Sequence, residues 1–98
     1  MIDIVYRHLI QKAMSTTGYA YALFNQSLSI KERIGDVQGK AMTLWWLGHL
    51  AEQQDEYTKA ISYLQPALEI LQRLKSPNAE SVSASLARVQ QQVENTEM

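Results

Sequence analysis

"LWWLGHLAEQQDEYTKAISYLQPALEI", residues 44–70, is the stretch whose reading decides the fold. Its apolar residues recur at three- and four-residue intervals on both sides of the polar run "EQQDE". That is the pattern of two amphipathic helices joined by a tight turn. Gly48, Ala51, Ala60 and Ala67 fall where the helices of such a pair must approach to roughly 8–10 Å. Leu44, Leu47, Tyr57 and Leu64 are placed to fill the space around those close contacts. Asp55 suits an N-cap for the second helix. Pro66 lies inside that helix, where it removes a backbone hydrogen bond, so a kink is expected.

Working outward, "IGD" at 34–36 is a stop followed by a restart: Gly35 can take the left-handed cap conformation, and Asp36 can accept the free N–H groups of the next helix. The helix holding the two tryptophans therefore runs from about Val37 to Gln53, and its partner from Asp55 to about Leu74. "KSP" closes the pair, with Ser76 as cap and Pro77 tolerated at a first helical position. A last helix, about Asn78 to Glu94, carries Val82, Leu86, Val89 and Val93 as one stripe and is polar elsewhere. It covers the body on one side and meets water on the other. Before Gly35, one helix is expected from about Asp3 to Met14 and another from about Tyr19 to Ile34, separated by "STTG". Short connections between five helices imply antiparallel neighbours, and the fold class is all-α.

The bulk properties narrow the function. A chain of 98 residues makes one small domain. Its net charge of −1, with acids and bases interspersed, gives no footprint for nucleic acid or an anionic membrane. There is no cysteine, which removes disulfides, thiolate metal sites and thiol catalysis and suits a reducing, cytoplasmic setting. No phosphate loop, nucleophile elbow or zinc-protease signature occurs, so neither a cofactor nor a catalytic activity is expected. His8 and His49 lack the neighbours of a metal ligand, and no metal site is expected.

An internal repeat organises the chain. Aligning "FNQSLSIKERIGD" with "LQPALEILQRLKS" matches Phe24 to Leu64, Ser27 to Ala67, Leu28 to Leu68, Ile30 to Ile70, Arg33 to Arg73 and Asp36 to Ser76, with Ala20 on Ala60. The offset is 40 residues, one helix pair and a turn. Leu44, Leu47-Gly48, Ala51, Tyr57, Ala60, Leu64 and Ala67 resemble the signature of the tetratricopeptide repeat (TPR). "SLSIKERIGDVQGKAMTLWWLG" is similar to the longer variant of that repeat found in tandem bacterial arrays. The resemblance implies stacked antiparallel hairpins forming a right-handed superhelix: repeat one over 1–35, repeat two over 36–75 and a capping helix over 77–94.

The same resemblance implies a protein-interaction module whose leading helices line a groove for a peptide or protein. By slot, the groove face is Met42, Trp45, His49, Glu52 and Gln53, lying along one stripe. Met42, Trp45, Trp46 and His49 occupy the slots where some members of the family carry a basic clamp for a carboxylate, so the resemblance implies an apolar or aromatic anchor instead. Trp46 points about 100° away, toward the neighbouring hairpin. One indole packs between helices, and the other faces the groove or a partner chain. Because about three repeats are usually needed to bury a continuous core, the apolar first helix is expected to self-associate through Ile2, Val5, Tyr6, Leu9 and Ile10. A homodimer or scaffold piece is one outcome, and the C-terminal end of a longer array fused to a signalling effector is another.

Overall fold

Helix ends recur at fixed spacing along this chain. In the computed structural model, which describes the backbone of residues 2–97 and the side chains of residues 18–95, four helices follow one another. They are α1 (Ile2–Ile34), α2 (Val37–Gln53), α3 (Tyr57–Arg73) and α4 (Asn78–Glu97). Each of the first three closes on a left-handed residue: Gly35 at φ 75°, Asp55 at φ 59° and Lys75 at φ 53°. The backbone bonds at these ends are the same three times over. Asp36 N–H donates to Lys31 C=O, Glu56 to Ala51 and Ser76 to Leu71, at 2.9–3.0 Å, while Gly35, Asp55 and Lys75 donate to Glu32, Glu52 and Gln72. This is the Schellman arrangement, repeated every 20 residues.

The residue after each left-handed position opens the next helix. Asp36 accepts from Gly39 N–H at 2.9 Å, and Ser76 Oγ accepts from Asn78 N–H at 3.2 Å, as the sequence leads one to expect. Asp55 does not cap α3. It occupies the left-handed position itself and accepts a hydrogen bond from the Tyr57 hydroxyl at 2.9 Å, and Glu56 takes the N-cap place without a side-chain bond. Asp55 and Lys75 thus stand where glycine is the unstrained residue, which for an L-residue costs about 1–2 kcal/mol. Lys75→Gly is expected to raise stability by about 1 kcal/mol and Gly35→Ala to lower it by a similar amount. Urea unfolding followed by circular dichroism reads both changes.

The core lies between α2, α3 and α4. Ala41, Leu47 and Ala51 of α2, Ala60, Ala67 and Leu71 of α3, and Val82 and Val89 of α4 are wholly inaccessible, and Leu64 is nearly so. Gly48 marks the tightest point: a Cβ there would stand 2.6 Å from both Cγ and Cδ2 of Leu64. The small residues of the sequence stripe do allow α2 and α3 to touch. α3 continues through Pro66 as one helix, and α4 turns its Val82, Leu86 and Val89 stripe inward.

The first third of the chain departs from expectation. In place of two helices separated at "STTG" there is one helix of 33 residues, so the first hairpin of the expected pair of repeats is not formed. Physically, "STTG" holds no proline, and its single interior glycine costs only about 1 kcal/mol relative to alanine. That is too little to break a helix flanked by strong apolar periodicity. A Cβ at Gly18 would meet nothing within 4 Å, so no packed neighbour demands the glycine. Phe24 lies against Trp46, and Lys31 lies beside Gly39. α1 and α2 therefore run antiparallel, and the expected self-association residues Ile2, Val5, Tyr6, Leu9 and Ile10 lie outside the described side chains. No helix among the described residues is long and apolar enough to cross a membrane.

Candidate functional site

Helix periodicity sends Leu44, Leu47 and Ala51 of α2 into the seam with α3, which leaves the opposite side of α2 to Met42, Trp45, Trp46 and His49. These four side chains line a cleft of about 220 Å3. Met42 and Trp45 are half-buried, and His49 is exposed. Trp45 also packs on the edge of the core. Trp46 is 56% exposed, and it is the indole that presents a face to solvent. Its ring lies parallel to Phe24 of α1 with centroids 6.5 Å apart, and the His49 imidazole meets it edge-on at 6.3 Å. Both separations fall within the range of attractive aromatic pairs, so the exposed ring is held in place from two sides.

The remaining expected groove residues are engaged within the chain. Glu52 receives Nε of Arg88 at 2.7 Å and Nη2 at 2.8 Å, a bidentate pair joining α2 to α4. Gln53 is exposed and its Nε2 lies 3.3 Å from Nε2 of His49. Met42, Trp45 and His49 therefore come together as the sequence stripe requires, Glu52 becomes a tie between helices, and Trp46 joins the site. Comparison with protein-family models, curated proteins and solved structures finds no match to this chain.

The cleft is apolar apart from one imidazole. Its lining offers one titratable ring, His49, beside two indoles and a thioether. Among the described residues, no group of three His, Asp or Glu side chains is placed to hold a metal ion. At about 220 Å3 the cleft is smaller than the roughly 300–1,000 Å3 typical of small-molecule sites. The Asn78 amide reaches Met42 Sδ at 3.8 Å, which ties the start of α4 to one of the lining side chains.

The Glu52–Arg88 pair gives this region a pH dependence. The hydrogen bonds from Arg88 hold the Glu52 carboxyl below its usual value of 4.5, and the charge of the guanidinium adds to the effect. A depressed folded-state value means the stabilisation is complete above the unfolded value and lost as pH falls through the folded one. Arg88 is half-exposed, with its side chain 53% accessible, so the effect is at most about 1 kcal/mol. Stability measured from pH 6 down to pH 3 is expected to fall, and Arg88→Ala to flatten that slope while leaving the Trp46 environment unchanged by fluorescence.

Proposed function

We propose that this chain is a TPR-like interaction module that binds an apolar segment of a protein or peptide in the α2 cleft. The observation that carries the reading is Trp46: a large aromatic side chain left more than half exposed, fixed by Phe24 and His49, and set in an apolar cleft with Trp45 and Met42. Tryptophan contributes disproportionately to measured interfaces because it brings large contact area with few rotatable bonds. All four lining side chains stand on one helix, α2, and Trp46 is flanked by Phe24 and His49, so the cleft is formed before a partner arrives, which limits the entropy cost of binding. The TPR resemblance gains support from the 20-residue recurrence of helix ends and from the small-residue seam at Gly48. No catalytic role is proposed, because the cleft holds no nucleophile with a base beside it.

Selection from a random 12-residue peptide library displayed on phage tests the reading. The intact chain is expected to enrich sequences sharing an aromatic or aliphatic anchor, and Trp46→Ala to weaken the selected peptide at least tenfold with helical content unchanged. Trp46 is exposed, so its removal leaves the core intact. Absence of any consensus on the intact chain, or equal binding by Trp46→Ala, would contradict the proposal.

A further inference from the structure

The core belongs to three of the four helices. Every buried apolar side chain among residues 18–95 stands on α2, α3 or α4. Leu28 is the α1 residue packed against that cluster, and it is itself only half-buried. α1 meets the body along one stripe, Ala20, Tyr21, Phe24, Ser27, Leu28 and Lys31, each of them half-buried. In the antiparallel register set by Phe24 beside Trp46 and Lys31 beside Gly39, the end of α2 is level with about residue 17 of α1. The helix is therefore seated on α2 over about half of its 33 residues.

The seam under α1 is built so that its two sides separate cleanly. On α2 it consists of Gly39, Thr43, Trp46 and Leu50, spaced at three and four residues along one face. Gly39 has no side chain to bury, Leu50 is half-buried and Trp46 is exposed. Thr43 is buried, yet its hydroxyl donates to the Gly39 carbonyl at 2.9 Å, within α2 itself. Lifting α1 leaves that bond in place. On the α1 side, the Tyr21 hydroxyl is buried with no hydrogen-bond partner among the described residues. A hydroxyl so placed costs free energy that exposure to water returns. The ties across the seam lie at its margins: Lys59 Nζ stands 4.0 Å from the centre of the Tyr21 ring, and Lys40 lies 3.9 Å from Glu32. An exposed ion pair adds little in water. By contrast, the bidentate Glu52–Arg88 pair joins α2 to α4, and Gly48 against Leu64 closes α2 on α3.

We propose that α1 is a strap: it lifts from the α2–α4 body as one unit, pivoting at Gly35-Asp36, while the body stays folded. The joint suits a pivot. Gly35 holds φ 75° without a Cβ, and hinge motion is absorbed by a few residues at the end of an element. Elements with few buried apolar contacts open at a lower free energy than the whole domain unfolds. Seating has a consequence for the cleft, one that rests on the function proposed above. The Phe24 ring flanks Trp46 only while α1 is down, so a seated strap fixes the exposed indole and a lifted one frees it. A partner that grips Trp46 in its fixed position therefore holds α1 down.

The two tryptophans report the two events separately. Trp46 touches Phe24 of α1, and Trp45 packs on the core. In Trp45→Phe, the remaining indole is expected to change its fluorescence about 1 M urea below the main circular dichroism transition, with a shallower slope because less surface is exposed. In Trp46→Phe, the Trp45 signal is expected to follow that main transition. Adding Leu28→Ala to Trp45→Phe is expected to move the Trp46 change to lower urea and leave the dichroism midpoint in place. On the intact chain, amide deuterium uptake is expected to be at least about tenfold faster across residues 20–34 than across residues 60–71. A helix with no body to pack on is marginal in water, so a lifted α1 exchanges its amides. Coincident transitions in Trp45→Phe overturn the proposal, and so does exchange over 20–34 as slow as over 60–71. A Leu28→Ala shift shared equally by both signals also overturns it. No peptide is present in these measurements, so the strap and the peptide site stand or fall separately.

Discussion

Leu64→Ala is expected to destabilise the domain by about 3 kcal/mol, Gly48→Ala by about 1–2 kcal/mol, and the two together by less than the sum. Leu64 is 1% exposed and is the side chain that a Cβ on Gly48 would meet first, at 2.6 Å. Removing the isopropyl group leaves a cavity beside Gly48, since α2 and α3 are already in contact there. Adding a methyl at Gly48 gains about 1 kcal/mol of helix propensity. It also drives an atom against Leu64 Cγ, which has no exit from the core. The collision outweighs the propensity. In the double variant the new methyl enters the space Leu64 has vacated, so a coupling of at least about 0.5 kcal/mol is expected, as for residues in direct contact. Urea unfolding of the four proteins, monitored by tryptophan fluorescence with equal m-values, measures it. Strict additivity would show that the α2–α3 seam does not close at Gly48.

That seam was legible from residue types alone, because a stripe of Gly and Ala flanked by Leu has few physical uses other than letting helices touch. The limits of α2 and α3 were legible for a related reason: Gly35-Asp36 and Lys75-Ser76-Pro77 force the backbone to turn. "STTG" carries no such force, and there the expectation of a turn failed. Asp55 misled in a subtler way. Its side chain suits an N-cap, and its tolerance of positive φ suits a C-terminal stop; the 20-residue recurrence of helix ends selects the second. The site was half legible. A helical stripe gathers Met42, Trp45 and His49 correctly, but whether Trp45 or Trp46 faces water depends on where Phe24 arrives from α1. Glu52 meets Arg88 across 36 residues, a pairing that no spacing rule within one helix contains.

Pro66→Ala is expected to raise stability by about 2 kcal/mol. Pro66 sits ten residues into α3, too deep for the tolerance that proline enjoys in a first turn. With no N–H it cannot donate to the carbonyl of Ser62, and its ring crowds that same carbonyl. The full interior penalty is about 3 kcal/mol. Two features reduce what alanine recovers. Ser62 is exposed, so water reaches the carbonyl that proline leaves unpaired. The proline ring is itself half-buried, and alanine surrenders part of that contact. Alanine also restores freedom to the unfolded chain, which trims the gain further. The neighbours Leu64 and Ala67 keep their places in the seam, so the increase should appear as a higher urea midpoint at constant m. Slower amide exchange across the first half of α3 should accompany it. A fall in stability would mean instead that the pyrrolidine ring packs better than the missing hydrogen bond costs, and that α3 owes its position on α4 to the proline.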